Sequence, residues 1–473
     1  MALNVASNSG NASNGARVHG GPDAQGVAAH DFSTNANACG PCPLALAAVQ
    51  QADAAHYPDP AYTALRAQLA ALHGVAPARI VIAASASEFI YRITAWAAHT
   101  LPPGTRTVAL PPHGYGDYAH AARAWGLRVV HAVHEVGDAG DAGDASVPGL
   151  HWACEPGSPL GQADAALVAW RMAAMQGGMQ RDVAVDRVVD GFGDRSVDGL
   201  VHKAMERPRE GVRERLRDEP CEEPYNEPVG APATVRVLDC AYAPLRLSGQ
   251  PSLDAAALDA VWRLYSPNKA LGLTGVRAAY AIAPAGGQEA MVAQMVVQLE
   301  ALAPSWPLGA HGVALLAAWT QPAVHAWLQE SLHTLRRWKA RQTALLRAQG
   351  WQVLESEAPF FCARPPVADV PALCAQLRRH GVRLRDCSSF GLPGLVRLGV
   401  RAPASQDALL RAWEEMGVRQ ESAHPVEHAA TAACAPDARR RDCQPGACRT
   451  LGVESENAPQ QAGWVTPQPT YLR

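Results

Sequence analysis

The chain has 473 residues, 48% hydrophobic and 18% charged, which suits one large domain with a smaller one and supplies ample material for a core. A formal net charge of −3 leaves no global basic surplus, so wholesale binding to nucleic acid is not expected. No apolar run reaches roughly 18 residues, so no membrane span is expected; no apolar run follows a basic N-terminal region, so no secretory leader is expected and a cytoplasmic location is.

In chain order, residues 1 to about 30 are rich in Asn, Gly, Ser and Ala and read as a disordered tail. From Pro43 the pattern turns helical and ends near Gly74. Residues 79–84 read as a buried strand, and 85–88 open an apolar helix. Residues 107–110 form a second strand, 111–118 a Gly/Pro-rich turn, and a helix follows through Trp125. A third strand covers 127–133, then a surface loop 138–149, and a fourth strand 150–154 leads into the turn 155–161. This alternation predicts an α/β chain with a parallel, helix-covered sheet. Residues 177–232 are densely charged and read as a solvated insertion. The core resumes with a strand at 233–239 and a long helical region at about 285–350. Residues 359–363, a helix, 382–386 and 395–400 suggest a small α+β domain. The expected layout is a large domain 31–304 carrying the insertion, a small domain 305–420 and a disordered tail 421–473.

Two residue counts guide the chemistry. Lys and Arg total 41, yet only Lys203, Lys269 and Lys339 are lysines. A lysine inside a motif therefore raises a chemical question, since Arg cannot replace an amine that must lose its proton and attack a carbonyl. Cys39 and Cys42 have the spacing of a redox dithiol, but no strand precedes them, so an entry loop is expected. The tail residues Cys434, Cys443 and Cys448 lack a zinc spacing and read as reduced thiols.

Residues 266–277 place Ser266, Lys269 and Arg277 around a Gly-punctuated loop. An amine between a hydroxyl and a guanidinium suits a phosphorylated aldehyde; the bland alternative is a surface lysine. Asp239 ends a strand, where open α/β sheets bind ligands. Its carboxylate can pair with a pyridinium nitrogen, and Tyr242 can meet the ring's phenolic oxygen. Ser85, Ala86 and Ser87 lie at a helix start, which suits phosphate binding or an ordinary cap. Tyr115, in the next turn, can stack on a flat ring. Arg397, inside an apolar strand, needs an anion, either a substrate carboxylate or a structural partner.

These pieces resemble, in this order, the fold type I pyridoxal-phosphate enzymes of the class I/II aminotransferase family, over roughly 31–420 with the insertion set aside. Ser266 to Arg277 matches the family's Ser/Thr-x-x-Lys and Gly-Leu-x-Gly-x-Arg, and 239–242 resembles its Asp-Glu-Ala-Tyr. The resemblance implies a large domain with a mostly parallel seven-stranded sheet, and pyridoxal 5'-phosphate held by Lys269 as a Schiff base. It implies an amino-acid substrate, a 2-oxo acid partner, and a homodimer in which Tyr57 crosses to the neighbour's cofactor phosphate. Glu155 and Ser158 stand where the family usually has two Asn, and Ser158 would approach the phenolic oxygen through water. Asn37 stands at the usual Asn-Pro and is expected at the substrate. Two branches are similar, histidinol-phosphate aminotransferase and the threonine-phosphate decarboxylase of cobalamin synthesis. The stretches 19–21, 31–37 and 385–390 resemble the decarboxylase. Both branches use phosphorylated substrates, which gives Arg385 a substrate phosphate and Arg397 a carboxylate, each with a salt-bridge alternative. Transamination is the expected reaction, with decarboxylation or a non-catalytic family member as alternatives.

Overall fold

Short apolar runs with β-branched and aromatic residues build a central sheet of seven strands in a computed structural model that describes residues 19–131, 149–174, 234–285 and 289–417. The strands are β2 (Ile80–Ala83), β3 (Thr107–Leu110), β4 (Arg128–His131), β5 (Leu150–Cys154), β6 (Val235–Asp239), β7 (Trp262–Tyr265) and β8 (Ala279–Ile282); β1 (His30–Asp31) lies outside this sheet. Their order is β2-β8-β7-β6-β5-β3-β4. Only β8 runs against its neighbours. The other neighbouring pairs are parallel, so the chain leaves β2, β3, β5, β6 and β7 at one edge. Residues of β2, β3 and β8 are buried throughout, as expected of strands covered on both faces.

Two helices frame that edge. Helix α1 (Ala86–Thr100) is capped by Ser85, whose Oγ accepts the Glu88 amide at 3.1 Å, while Glu88 accepts the Ala84 amide at 3.0 Å. This reciprocal cap stops the helix at the strand end. Its inner face puts Phe89, Ile90, Ile93 and Trp96 into the core beneath the sheet. Helix α2 (Gly116–Ala124) follows β3 and packs beside α1.

The long helical region is three helices, α3 (Glu289–Ala301), α4 (Ala310–Trp319) and α5 (Pro322–Ala348). Pro304, Pro307 and Pro322 punctuate it, because proline removes a helix donor and is tolerated only in the first turn. A second, antiparallel sheet has the order β12-β13-β10-β9, from β9 (Gln352–Val353), β10 (Phe360–Arg364), β12 (Arg385–Asp386) and β13 (Val396–Gly399).

The expected strand 382–386 is split. Its first part, β11 (Val382–Arg383), pairs in parallel with β1, and its second, β12, pairs with β13. One stretch serves two sheets because each half finds a different edge.

Residues 19–30 fell within the tail read from composition, yet they are packed onto the body. Asp23 takes bonds from Arg378 and an ion pair with Arg383. Gly20 lies so close to the Ser33 carbonyl that a Cβ there would sit 2.1 Å from its oxygen, a contact only glycine permits. Residues 1–18, the insertion 177–232 and the tail 421–473 lie outside the described residues. One hydrophobic core runs from Ile80, Tyr280 and Ile282 to Phe360, Phe361 and Val396, so both sheets share it. No helix among the described residues is long and apolar enough to cross a membrane.

Candidate active site

A cavity of about 300 Å³ opens at the edge where β2, β3, β5, β6 and β7 end. Each strand delivers one part. Ser85, Ala86 and Ser87 follow β2; Tyr115 and Tyr118 follow β3; Ser158 follows β5; Asp239 and Tyr242 come from β6; Ser266 and Lys269 come from the loop after β7. Arg277, Arg385 and Arg397 also line it, with His19, Asn35 and Phe390.

Lys269 Nζ donates to Ser266 Oγ at 3.4 Å and lies 5.5 Å from the Tyr242 ring centre. Burial lowers its pKa from the ordinary lysine value; Asp239 opposes that and Arg277 adds to it. A lysine in such surroundings is poised to give up its proton. The surface-lysine alternative does not describe it.

Asp239 is 4% exposed. Burial raises its pKa, while the Tyr118 hydroxyl, Lys269 and the Ala241 amide pull it back. The Tyr118 hydroxyl donates to Oδ2 at 2.6 Å and the Ala241 amide to Oδ1 at 2.8 Å. A buried carboxylate with two donors, opposite a buried amine, suits a cationic ring nitrogen. Burial pushes the Tyr242 phenol up to about 12.

At the helix start, Ser85 caps α1, so its hydroxyl takes the ordinary role. Ser87 Oγ meets the Tyr115 hydroxyl at 3.0 Å. With the Glu88 amide taken by Ser85, the Ala86 and Ser87 amides of the first turn have no intrahelical acceptor and are the ones that face an anion.

Arg385 and Arg397 are partners in register across β12 and β13. Their guanidinium carbons lie 4.8 and 5.6 Å from the Phe390 ring centre, so two like charges share one aromatic ring. Arg397 donates to Ser158 Oγ at 2.9 Å and to the Ser33 carbonyl at 2.8 Å, both neutral, and its Nε has no partner. Arg385 donates to the Asp386 carbonyl and to Ser389 Oγ. Ser158, expected near the phenolic oxygen, accepts from Arg397. Glu155, at the other unusual position, lies outside the cavity lining; it pairs with Arg246 at 2.9 Å and takes the Ser252 amide.

Two expected residues lie elsewhere. Asn37 does not line the cavity, because its amide donates to the Ala270 carbonyl and Ser331 Oγ. Asn35, two residues earlier, lines it, with its buried side-chain amide beside the Tyr242 hydroxyl. Tyr57 is 78% exposed, stacks on Trp306 at 4.5 Å, and lies outside this cavity's lining. Cys39 and Cys42 are free thiols at the entry to the helix Pro43–Gln50. Tyr118, Asn35 and Phe390 were not singled out from sequence. Tyr118 had a signal, three residues after Tyr115 in the first turn of a helix, where both rings face one side.

Residues 234–415 match the family model described as aminotransferase class I and II. A histidinol-phosphate aminotransferase of Burkholderia mallei is 28% identical over 188 residues, covering 39% of this chain and 50% of that protein; the chain thus spans about half the length of the curated relatives it matches. Among solved structures, the histidinol-phosphate aminotransferase of Sinorhizobium meliloti in complex with pyridoxal-5'-phosphate aligns at TM-score 0.56 with 20% identity, covering 82% of this chain and 90% of that one. The L-threonine-O-3-phosphate decarboxylase of Porphyromonas gingivalis aligns at TM-score 0.55 with 19% identity, covering 82% and 99%. At these identities the structures show the shared fold, which is the fold type I architecture expected from sequence.

Proposed function

Because residues 234–415 match the class I and II aminotransferase family model and the described chain has the fold type I architecture, we propose that this protein is a pyridoxal-phosphate-dependent aminotransferase of a phosphorylated α-amino acid. The observation that carries the reading is the buried pair of Lys269 and Asp239 facing one cavity whose other wall holds Arg385 and Arg397.

The residues present fit pyridoxal 5'-phosphate. A buried carboxylate suits the ring nitrogen, an amine with a lowered pKa suits the aldehyde carbon, and a capped helix start with Ser266 and Arg277 suits the phosphate. Bound there, the cofactor supplies an electron sink that weakens the bonds at a substrate's Cα.

The chain's own groups do the rest. With the cofactor bound, Lys269 Nζ would hold it at rest and would be the base that moves the Cα proton. Asp239 would keep the ring nitrogen protonated by charge. Tyr115 would stack on the ring, and Tyr242 would donate to its phenolic oxygen. Arg397, held by Ser158, takes the substrate carboxylate. Arg385 takes the substrate phosphate, supported by Ser389 and the Phe390 ring. Asn35, which lines the cavity beside Tyr242, replaces Asn37 as the substrate-facing amide.

Decarboxylation is a second reading, favoured by His19 at the cavity wall in a stretch that resembles the decarboxylase branch. The two reactions share the same groups and differ in which Cα bond is held across the ring. The active form is read as a homodimer in the cytoplasm. Its support is the exposed Tyr57, held flat on Trp306, a large apolar surface to leave in water.

The test mixes the loaded protein with a panel of phosphorylated and plain amino acids and follows CO2 release beside 2-oxo acid formation. Oxo acid without CO2 supports transamination, and CO2 the second reading. Neither, from a protein that carries the cofactor, defeats both.

A further inference from the structure

Asp239 is fixed from two sides of different kind. The Ala241 amide lies in the carboxylate's own strand-end turn, where any non-proline residue supplies it. Tyr118 comes from the first turn of α2, 121 residues away. Its ring is pinned, stacked on Trp152 at 4.6 Å and 16° and edge-on to Tyr115 at 5.9 Å. A phenol bonded to a buried carboxylate is a charge-assisted contact that favours the ionised form. The other groups that act on Asp239 are Cys154, paired with it across β5 and β6, Cys240, Tyr242 and Lys269. Burial pushes Cys240 and Tyr242 up to about 12 and lifts Cys154 well above the usual thiol range. These three are uncharged at neutral pH, which leaves Lys269 as the one basic group among them.

We propose that Tyr118 is a positioning residue for this site: its pinned hydroxyl holds Asp239 ionised and in one orientation, so that the carboxylate's remaining lone pairs serve a protonated ring nitrogen. Only this last step rests on the cavity being a pyridoxal-phosphate site; the coupling of Tyr118 to Asp239 stands without it. The proton stays on the phenol, whose own pKa burial and the Asp239 charge drive well above the usual tyrosine range.

Tyr118→Phe keeps the ring and its stack and removes the donor, whereas 2,3-difluorotyrosine at the same position strengthens it. In the full chain freed of cofactor, the Asp239 carboxyl carbon is followed by NMR against pH, with its resonance assigned by its loss in Asp239→Asn. Tyr118→Phe is expected to titrate Asp239 at higher pH than the parent and the fluorinated protein at lower pH. Unchanged midpoints, or both moving the same way, overturn the proposal. If Tyr118→Phe does not fold, the sign from the fluorinated protein decides alone. In the loaded enzyme, 15N in the cofactor ring reports that nitrogen's protonation. Tyr118→Phe is expected to move it toward the unprotonated position and to lower kcat about tenfold to a hundredfold, the rate equivalent of one hydrogen bond to a charge, with KM little changed. An unmoved ring resonance overturns the step from carboxylate to ring. A parent chain that shifts Asp239 as expected but takes up no pyridoxal phosphate defeats the functional reading and leaves the coupling standing.

Discussion

At the Lys269 end of the cavity, the polar groups sit at successive strand ends of one sheet. At the Arg385 end they come from the N-terminal segment, the turn after β5 and the second sheet. The first wall follows from local rules: strands stop at one edge, and the next few residues line it. The second exists only once distant stretches dock, with Arg397 reaching Ser33 across 364 residues and Ser158 across 239. Substitutions at the first wall should therefore act on the rate of the chemistry, whereas those at the second should show graded effects on which substrate is taken.

The largest effect expected is at Lys269. Lys269→Ala should cut turnover by at least about 10⁴-fold, and Lys269→Arg equally, because a guanidinium keeps its proton. Steady-state assay, with loss of a borohydride-reducible visible band, measures both; a near-parental rate would break the assignment of that wall. Next comes Arg385→Ala, expected to lower kcat/KM for a phosphorylated amino acid by roughly 30- to 1000-fold and to spare its dephosphorylated analogue. Equal losses on both substrates would make Arg385 structural. The asparagines sharpen the boundary between site and scaffold. Asn37→Ala should cost about 1–3 kcal/mol in urea unfolding, since it orphans buried partners, with KM near parental. Asn35→Ala should raise KM by about tenfold, the loss of one hydrogen bond, and barely move stability. The reverse pattern would restore the original assignment of Asn37.

The smallest effect lies at neither wall. His73 meets the Tyr280 hydroxyl at 2.7 Å, and burial, then Arg263 and His325, lower its pKa from 6.5 to about 4. The unfolded chain binds a proton near 6.5 that the folded one refuses until about 4. The stability from neutral His73 is thus complete above the unfolded value and lost as pH falls from there toward about 4. His73→Gln should flatten the thermal-melt slope in that window and leave kcat unchanged. An unaltered slope would show that other groups carry it.

How far the sequence could be read follows the same division. The strands 107–110 and 150–154 and the motif 266–277 were legible because apolar runs and Gly-punctuated loops are local signals. The choice between Asn35 and Asn37 was not. Both are buried, 5% and 3% exposed, and what separates them is Ser331, 294 residues away. The split of 382–386 into β11 and β12 was hidden for the same reason, since pairing partners leave no mark in a strand's own composition. Residues 19–30 look polar and solvated, and what docks them is distant: Asp23 meets Arg378 and Arg383, and β1 joins β11.

That docking has a consequence for the order in which the protein can be completed. Arg378 also reaches back 352 residues to the Gly26 carbonyl. At synthesis rates of about 5–20 residues per second, roughly 20 to 70 seconds separate the emergence of these two partners. Until then β1 has no edge to join and His19 has no wall to complete, while the residues that line the Lys269 wall all precede β8 and the Phe360 ring that backs Tyr242 precedes β11. On the ribosome the cofactor side of the cavity is expected to form first and the substrate side last, so a nascent chain arrested before β11 should already retain pyridoxal phosphate yet discriminate poorly among amino acids.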